Sequence, residues 1–308
     1  MKKYFVCSDI HGFYDEWMTS LKEAGFDENN EEHILIVCGD IFDRGRKPLQ
    51  VYEFIRSLPV ERRYLIRGNH ETLLRELVER GHAESHDMHN GTDKTLYDIA
   101  GISDTWRRDY VIERGFKAGL PDYGTPEWDA WQRDLENECE RVENTIYDNE
   151  KLKEILYWIG SDEWRNYLEL GKYVFVHAFV PVDEHIDFEK SRWAGALIKD
   201  TPDSYDPNWR DASDDRWENA MWGCPWRKFK AGLFAPETEK GKILVCGHWH
   251  TSDFYNRLDY AHELDKWLKD DENPIYESKM FPGLIGLDAC TVLSGRVNVL
   301  VLNEDELR

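Results

Sequence analysis

Five short stretches of this chain hold residues able to bind metal ions or phosphate, and each follows an apolar run. SDIHG places Asp9 and His11 two apart; CGDIFDRG adds Asp40, Asp43 and Arg44; RGNHE adds Arg67, Asn69 and His70. Further on, VFVHA carries His177 and CGHWH carries His248 and His250. Carboxylate, imidazole and amide ligands together suit borderline to hard divalent ions such as manganese, iron or zinc, and the absence of cysteine among them disfavours structural zinc. A carboxylate shared between two such ions holds them roughly 3.5–4 Å apart, the spacing of two-metal hydrolases. Such a pair lowers the pKa of a bridging water towards about 7 and neutralises phosphoryl oxygens. Guanidinium groups nearby would grip phosphate with two donors at once. Taken singly, Asp9, Asp40 or His177 reads as a capping or hydrogen-bonded loop residue. Together, each at a strand end, they read as a metal centre.

The elements that must position them alternate in type. KYFVCS (3–8), HILIVCG (33–39) and RYLI (63–66) read as buried strands. Helices are expected over 14–25, 48–58 and 71–81, two of them stopped by glycine and one carrying proline in its first turn. This order implies a largely parallel sheet with right-handed crossovers, in which ligands gather beyond the carboxyl ends of the strands. YVFVHAFV (173–180) and KILVCG (242–247) are further strands, and 284–302 reads as β-rich with a hairpin turn at Ser294-Gly295. Residues 82–170 read as mostly helical, an elaboration of one domain spanning 1–308; 182–235 reads as a Trp- and Asp-rich loop region. Within the insertion, His82, His86 and His89 are expected on a solvated loop, Trp106, Trp128, Trp131, Trp158 and Trp164 in the cap's core, and the acidic run 134–154 on a solvated helix face.

DIHG, GDIFDRG, GNHE, a lone histidine after an apolar strand and GH, in that order, resemble the calcineurin-like metallophosphoesterases. In particular they are similar to the phosphoprotein phosphatase branch of the lambda-phage and bacterial serine/threonine type. The likeness runs through residues 4–77 and returns in pieces; NGT at 90–92 stands where those relatives often carry NGG. The resemblance implies a four-layer α-β-β-α sandwich with a helical insertion, and two divalent ions, manganese first, with iron or zinc as alternatives. It implies Asp9 and His11 on one ion, Asp40 bridging, and Asn69, His177 and His248 on the other. His70 is then the general acid, held by Asp43, with Arg44 and Arg67 on phosphate, and hydrolysis is a single in-line attack of metal-bound hydroxide. A further arginine is expected near MWGCPWRKF: Arg227, with Arg192, Arg210 and Arg216 as alternatives. Ser8 stands where the family usually has glycine. His250 is an addition to the branch's pattern; on an extended segment it shares a face with His248, and the resemblance to the wider superfamily, which uses such a histidine to complete the first metal, implies a place beside Asp9 and His11.

The resemblance makes protein phosphoserine or phosphothreonine the expected substrate. A dinucleoside tetraphosphatase, a phosphodiesterase (favoured by GHWH) and an inactive metal-stabilised binding module are the alternatives. The chain has 308 residues and a formal charge of −22, which repels polyphosphate backbones and argues against duplex nucleic acid as partner. A phosphoester substrate, protein or small molecule, remains compatible because bound cations invert the local sign. No apolar run is long enough for a membrane helix, the first ten residues are too soon polar for a signal peptide, and the six cysteines form no CxxC pair, so a cytoplasmic protein is expected. Thirteen tryptophans argue for a packed fold despite a mean hydropathy of −0.69.

Overall fold

The computed structural model describes residues 1–184, 202–259, 268–269, 271–277 and 281–308. Two five-stranded sheets lie face to face. The first has the order β12-β1-β2-β3-β4, with β1 Lys3–Cys7, β2 His33–Cys38, β3 Arg63–Ile66, β4 Trp164–Arg165 and β12 Leu300–Asn303. The second runs β10-β11-β9-β6-β5, with β5 Leu168–Leu170, β6 Tyr173–Phe175, β9 Ile243–Cys246, β10 Tyr276–Glu277 and β11 Leu284–Gly286. β7 (Val182–Asp183) and β8 (Ser204–Tyr205) form a small ribbon. In each large sheet the three central strands are parallel.

Strands buried on both faces explain the near-continuous apolar runs in the sequence. In β1, Phe5 and Cys7 join Leu35 and Val37 of β2 against the outer helices. Tyr4, Val6, Ile34 and Ile36 point the other way, onto Phe175, Val245 and Ile285 of the second sheet. Val174, Leu244 and Cys246 then face a third cluster with Trp217 and Phe254 on the far helices. Those three apolar layers make the expected α-β-β-α sandwich. Helices α1 (Tyr14–Glu23), α2 (Pro48–Ser57), α3 (Asn69–Arg80), α4 (Ser85–Asn90), α5 (Thr92–Ala100), α6 (Trp106–Val111), α7 (Pro126–Tyr147) and α8 (Glu150–Ile159) lead the chain to β4.

Several expectations change. The insertion's helices end at Ile159; Trp164–Arg165 and Leu168–Leu170 are edge strands of different sheets, so the chain crosses between sheets within three residues. Leu96, Ile99, Val142, Ile146, Leu152 and Ile155 of the insertion share one core with the first sheet. Trp158 and Trp164 are buried there, whereas Trp106, Trp128 and Trp131 are only half-covered. The stretch around His82, His86 and His89 is largely the helix α4, whose N-terminus Asp87 caps; the three histidines are exposed, as expected. Helices also occupy Asp214–Met221 and Pro225–Lys230, where loop was expected, and a further one spans Pro236–Glu239. No hairpin forms at Ser294-Gly295: a short helix Thr291–Ser294 ends on Gly295 (φ 66°), and the chain passes from β11 in one sheet to β12 in the other. A serine–glycine pair serves a helix C-terminus as well as a hairpin, and only the sheet partners separate the two. Among the described residues no helix is long and apolar enough to cross a membrane.

Candidate active site

Register brings the ligand-bearing loops to one place. Cys7 pairs with Val37 and Cys38 with Ile66, so the loops after β1, β2 and β3 leave the sheet at one level. The ladder continues into them: Asp9 N–H donates to Gly39 O at 3.1 Å and His11 N–H to Asp40 O at 2.9 Å. Opposite, Gly247 N–H donates to His177 O at 2.7 Å, joining the loops after β6 and β9. Close approach explains two glycines. A side chain at Gly68 would collide with Asp40, and one at Gly247 with Ser8 and Asp9. Asp9, His11, Asp40, Asp43, Arg44 and His248 all adopt positive φ, six of the eight non-glycine residues that do so among the described residues. That conformation costs on the order of 1–3 kcal/mol per residue and persists where surrounding structure enforces it.

Asp40 lies at the centre. Its Oδ2 is 3.4 Å from His177 Nε2 and 3.8 Å from both His11 Nε2 and His70 Nε2. These gaps are too long for hydrogen bonds, yet two donors each about 2.1 Å from a shared ion stand roughly 3–4 Å apart. Two groups of ligand atoms, His11–Asp40–His70 and Asp40–His177–His248, are each compact enough for one ion, and Asp40 is common to both. Asn69 Oδ1 adjoins the second group, 2.8 Å from His177 Nε2. Tautomers are set from behind: His11 Nδ1 meets Phe42 O at 2.9 Å and His177 Nδ1 meets Cys38 O at 2.8 Å. Each Nδ1–H donates to a carbonyl, which leaves Nε2 as the acceptor facing the centre. Buried carboxylates at Asp9, Asp40 and Asp288 gather beside these histidines. The donor set fits two divalent cations.

Electrostatics of the protein groups alone pull in both directions. Burial, then Asp288, pushes Asp9 up to about 8, although it accepts from Ser8 Oγ and, at 2.9 Å, from His248 N–H. Burial would raise Asp40 too, but His177, His70 and His11 outweigh it and hold it well below the usual carboxylate range. Burial, then His177, depresses His248 to about 3, and burial with Arg44 and His70 depresses His11. His177 runs the other way, burial opposing its charge but Asp40 and Asp9 raising it, so the buried cluster mixes groups that resist charge with groups that keep it.

His70 sits in the first turn of α3, which starts two residues earlier than its periodicity indicated. Its Nδ1 meets Asp43 Oδ2 at 2.6 Å. Burial opposes its charge, but Asp40 and Asp43 raise it to about 9. Arg44 is exposed, and its charge bears on His11, His70, His248 and Asp288. Arg67 is half-buried with its Nε lacking a hydrogen-bond partner. Among the alternatives for the further arginine, Arg210 is committed to Glu169 and Glu239, and Arg216 to Asp183 and Asp206. Arg227 lies over the Trp226 ring at 5.0 Å, and Arg192 lies outside the described residues.

The extended segment expected through His250 is absent. His248 is left-handed (φ 66°), and His250 precedes the helix Thr251–Arg257, where its charge bears on Asp288. The shared-face argument for His250 therefore does not hold. Asp288 itself was missed. It closes the apolar run LIGLD, so the rule that found Asp9 and Asp40 also finds it. Thr92 and Thr95, which hydrogen-bond Asp43 at 2.7 and 2.8 Å, were missed as well; NGT at 90–92 was the available signal.

A family model described as calcineurin-like phosphoesterase matches residues 2–252. A symmetrical bis(5'-nucleosyl)-tetraphosphatase of Nitrosococcus oceani is 29% identical over 181 residues, 54% of this chain and 59% of that protein. Its namesake from Buchnera aphidicola subsp. Baizongia pistaciae is 38% identical over 74 residues, 24% of this chain and 25% of that protein. The chain thus spans about three fifths and a quarter of these relatives' lengths. A cold-active protein tyrosine phosphatase structure aligns at TM-score 0.48 and 13% identity, covering 98% of this chain and 74% of that one. With the family model running from β1 past the last histidine motif, this chain belongs to the calcineurin-like phosphoesterases.

Proposed function

We propose that the chain is a two-metal phosphoester hydrolase whose substrate is a dinucleoside polyphosphate. The observation that supports the reaction is Asp40, a buried carboxylate with imidazole nitrogens at 3.4–3.8 Å on three sides. Asp9, His11 and Asp40 would hold one ion, with His250 added from the side of Asp288; Asp40, Asn69, His177 and His248 would hold the other. Manganese, iron or zinc bound there would supply an activated water and neutralise charge on the phosphoryl group. The residues do the rest. Arg44 and Arg67 orient the phosphoryl oxygens, Arg227 binds a more distant phosphate, and His70 gives a proton from Nε2 to the departing oxygen.

The substrate class is supported by the names of the tetraphosphatase relatives and by Trp222. That ring is 51% exposed and stands edge-on to His248 at 6.1 Å, where it offers a nucleobase a stacking face at the mouth of the site. The expected phosphoserine or phosphothreonine substrate is a second reading, favoured by the buried His70–Asp43 pair, since an alkoxide needs an acid more than a phosphate leaving group does. A panel with manganese present separates them: diadenosine tetraphosphate, a phosphoserine peptide, p-nitrophenyl phosphate and bis-p-nitrophenyl phosphate. The proposal expects the highest kcat/KM on the tetraphosphate, with two diphosphates as products, and a selective loss there in Trp222→Ala. Preference for the peptide establishes the second reading, and failure on every substrate with each of the three metals removes both.

A further inference from the structure

Asp43 is wholly buried, and its surroundings are more elaborate than orienting a histidine requires. Oδ2 meets His70 Nδ1 at 2.6 Å and accepts from Thr92 Oγ1 at 2.7 Å, while Oδ1 accepts from Thr95 Oγ1 at 2.8 Å. The backbone N–H of Asp43 returns a bond to Thr95 Oγ1 at 3.0 Å. Thr92 and Thr95 are themselves 0% and 1% exposed, so neither hydroxyl serves solvent. They stand three apart on α5 and therefore on one helix face. Gly91, with φ 82°, lets that helix start against the turn of Asp43 and Arg44; a side chain there would come within 3.0 Å of Arg44 N. Leu96 and Ile99 anchor α5 in the core of the first sheet.

A carboxylate offers about four lone-pair directions, and a buried one swings unless donors define its plane. Here two hydroxyls from one rigid helix define it, and Oδ2 is thereby aimed at His70 Nδ1. Nε2 of His70 is turned towards the ligand cluster, 3.8 Å from Asp40 Oδ2. We propose that Thr92 and Thr95 are positioning residues for the acid of this phosphoesterase, so that the first long helix after the α3–α4 turn is part of the catalytic apparatus. The inference rests on the hydrolase reading above. In the step concerned, the P–O bond to the leaving group breaks, the oxygen of water forms the new P–O bond, the departing oxygen takes the proton of His70 Nε2, and the proton released by the water makes good the one His70 gave.

Leaving-group dependence tests this. A misaimed acid penalises departing alkoxides and spares oxygens that leave unaided, whereas general damage to the site lowers all substrates alike. Thr92→Val and Thr95→Val keep shape and burial while removing the hydroxyl. With metal supplied, each is expected to lose roughly tenfold or more in kcat on an alkyl phosphate (glycerol 2-phosphate), a fraction of the 10²–10⁴ an acid contributes. On 2,4-dinitrophenyl phosphate the loss is expected to stay below about threefold. Thr92→Ser and Thr95→Ser, which restore the hydroxyl, should recover alkyl activity, and Thr95→Val should add no further discrimination in an Asp43→Asn background. Equal losses on both leaving groups, or no rescue by serine in variants that melt like the parent, overturn the proposal. A parent inactive on both substrates and on diadenosine tetraphosphate instead removes the hydrolase reading on which it stands, whereas one active on the tetraphosphate alone makes no use of an acid on departing alkoxides and overturns the proposal.

Discussion

Glu71 shows how much of a metal centre is built from residues that touch no metal. It is wholly buried at the start of α3, and its carboxylate accepts from the N–H groups of Asp40 at 3.0 Å, Ile41 at 2.9 Å and Gly68 at 2.8 Å. Burial, then Asp40, pushes it up to about 7 in spite of those three donors. One side chain thus ties the loop bearing Asp40 to the loop bearing Asn69 and His70. Its bond to Gly68 caps its own helix, and its bonds to Asp40 and Ile41 reach the loop after β2. Glu71→Ala strands three buried N–H groups, each worth about 1–3 kcal/mol when left unpaired. Even after relaxation we expect a loss of several kcal/mol in denaturant unfolding and weaker metal binding; a change under 1 kcal/mol would contradict this role.

Among the elements, the helical face of the second sheet is held by a polar hub at Glu239. Its carboxylate accepts from Tyr205 Oη at 2.6 Å, Trp209 Nε1 at 2.7 Å and Arg210 Nη2 at 2.9 Å, which fastens β8 and the following turn to the helix Pro236–Glu239. Burial works against its charge, but the bonds from Arg210, Tyr205 and Trp209 outweigh it and lower its pKa. A depressed carboxylate contributes stability that is present above its unfolded pKa and is lost as pH falls through the folded one. Glu239→Gln should therefore cost about 1–3 kcal/mol at neutral pH, and the gap to the parent should close as pH drops below the ordinary glutamate range near 4.5. Unfolding curves for both proteins across pH 7 to 3 measure it; a gap constant with pH contradicts the ionic role.

At the scale of the whole molecule, a chain of charge −22 gathers buried carboxylates into one corner of its sandwich. Cations that bind the folded site and not the unfolded chain must then stabilise the fold. At a hundredfold excess over its dissociation constant one ion contributes about 2.7 kcal/mol. Manganese, iron or zinc should raise the melting temperature by several degrees and a chelator should reverse the gain, with the shift abolished in Asp40→Asn. Identical melting with and without metal would argue against a cation centre.

The chain's order of apolar runs, each ending in a short polar motif, determined by itself the parallel strands, the helices of the N-terminal third and the strand-end positions of Asp9, His11, Asp40, Asn69, His70, His177 and His248. Those features are local: burial on both faces writes an unbroken apolar run, and a turn at a strand end writes glycine beside the ligand. Tertiary structure alone decided the rest. That Ser294-Gly295 ends a helix rather than a hairpin follows from β11 and β12 belonging to different sheets. That Thr92 and Thr95 serve Asp43 follows from α5 packing beside the loop after β2, some fifty residues earlier in the chain. The GHWH stretch shows both limits. Its first histidine is placed by strand-end position, whereas its second depends on a left-handed backbone at His248 that no side-chain pattern encodes.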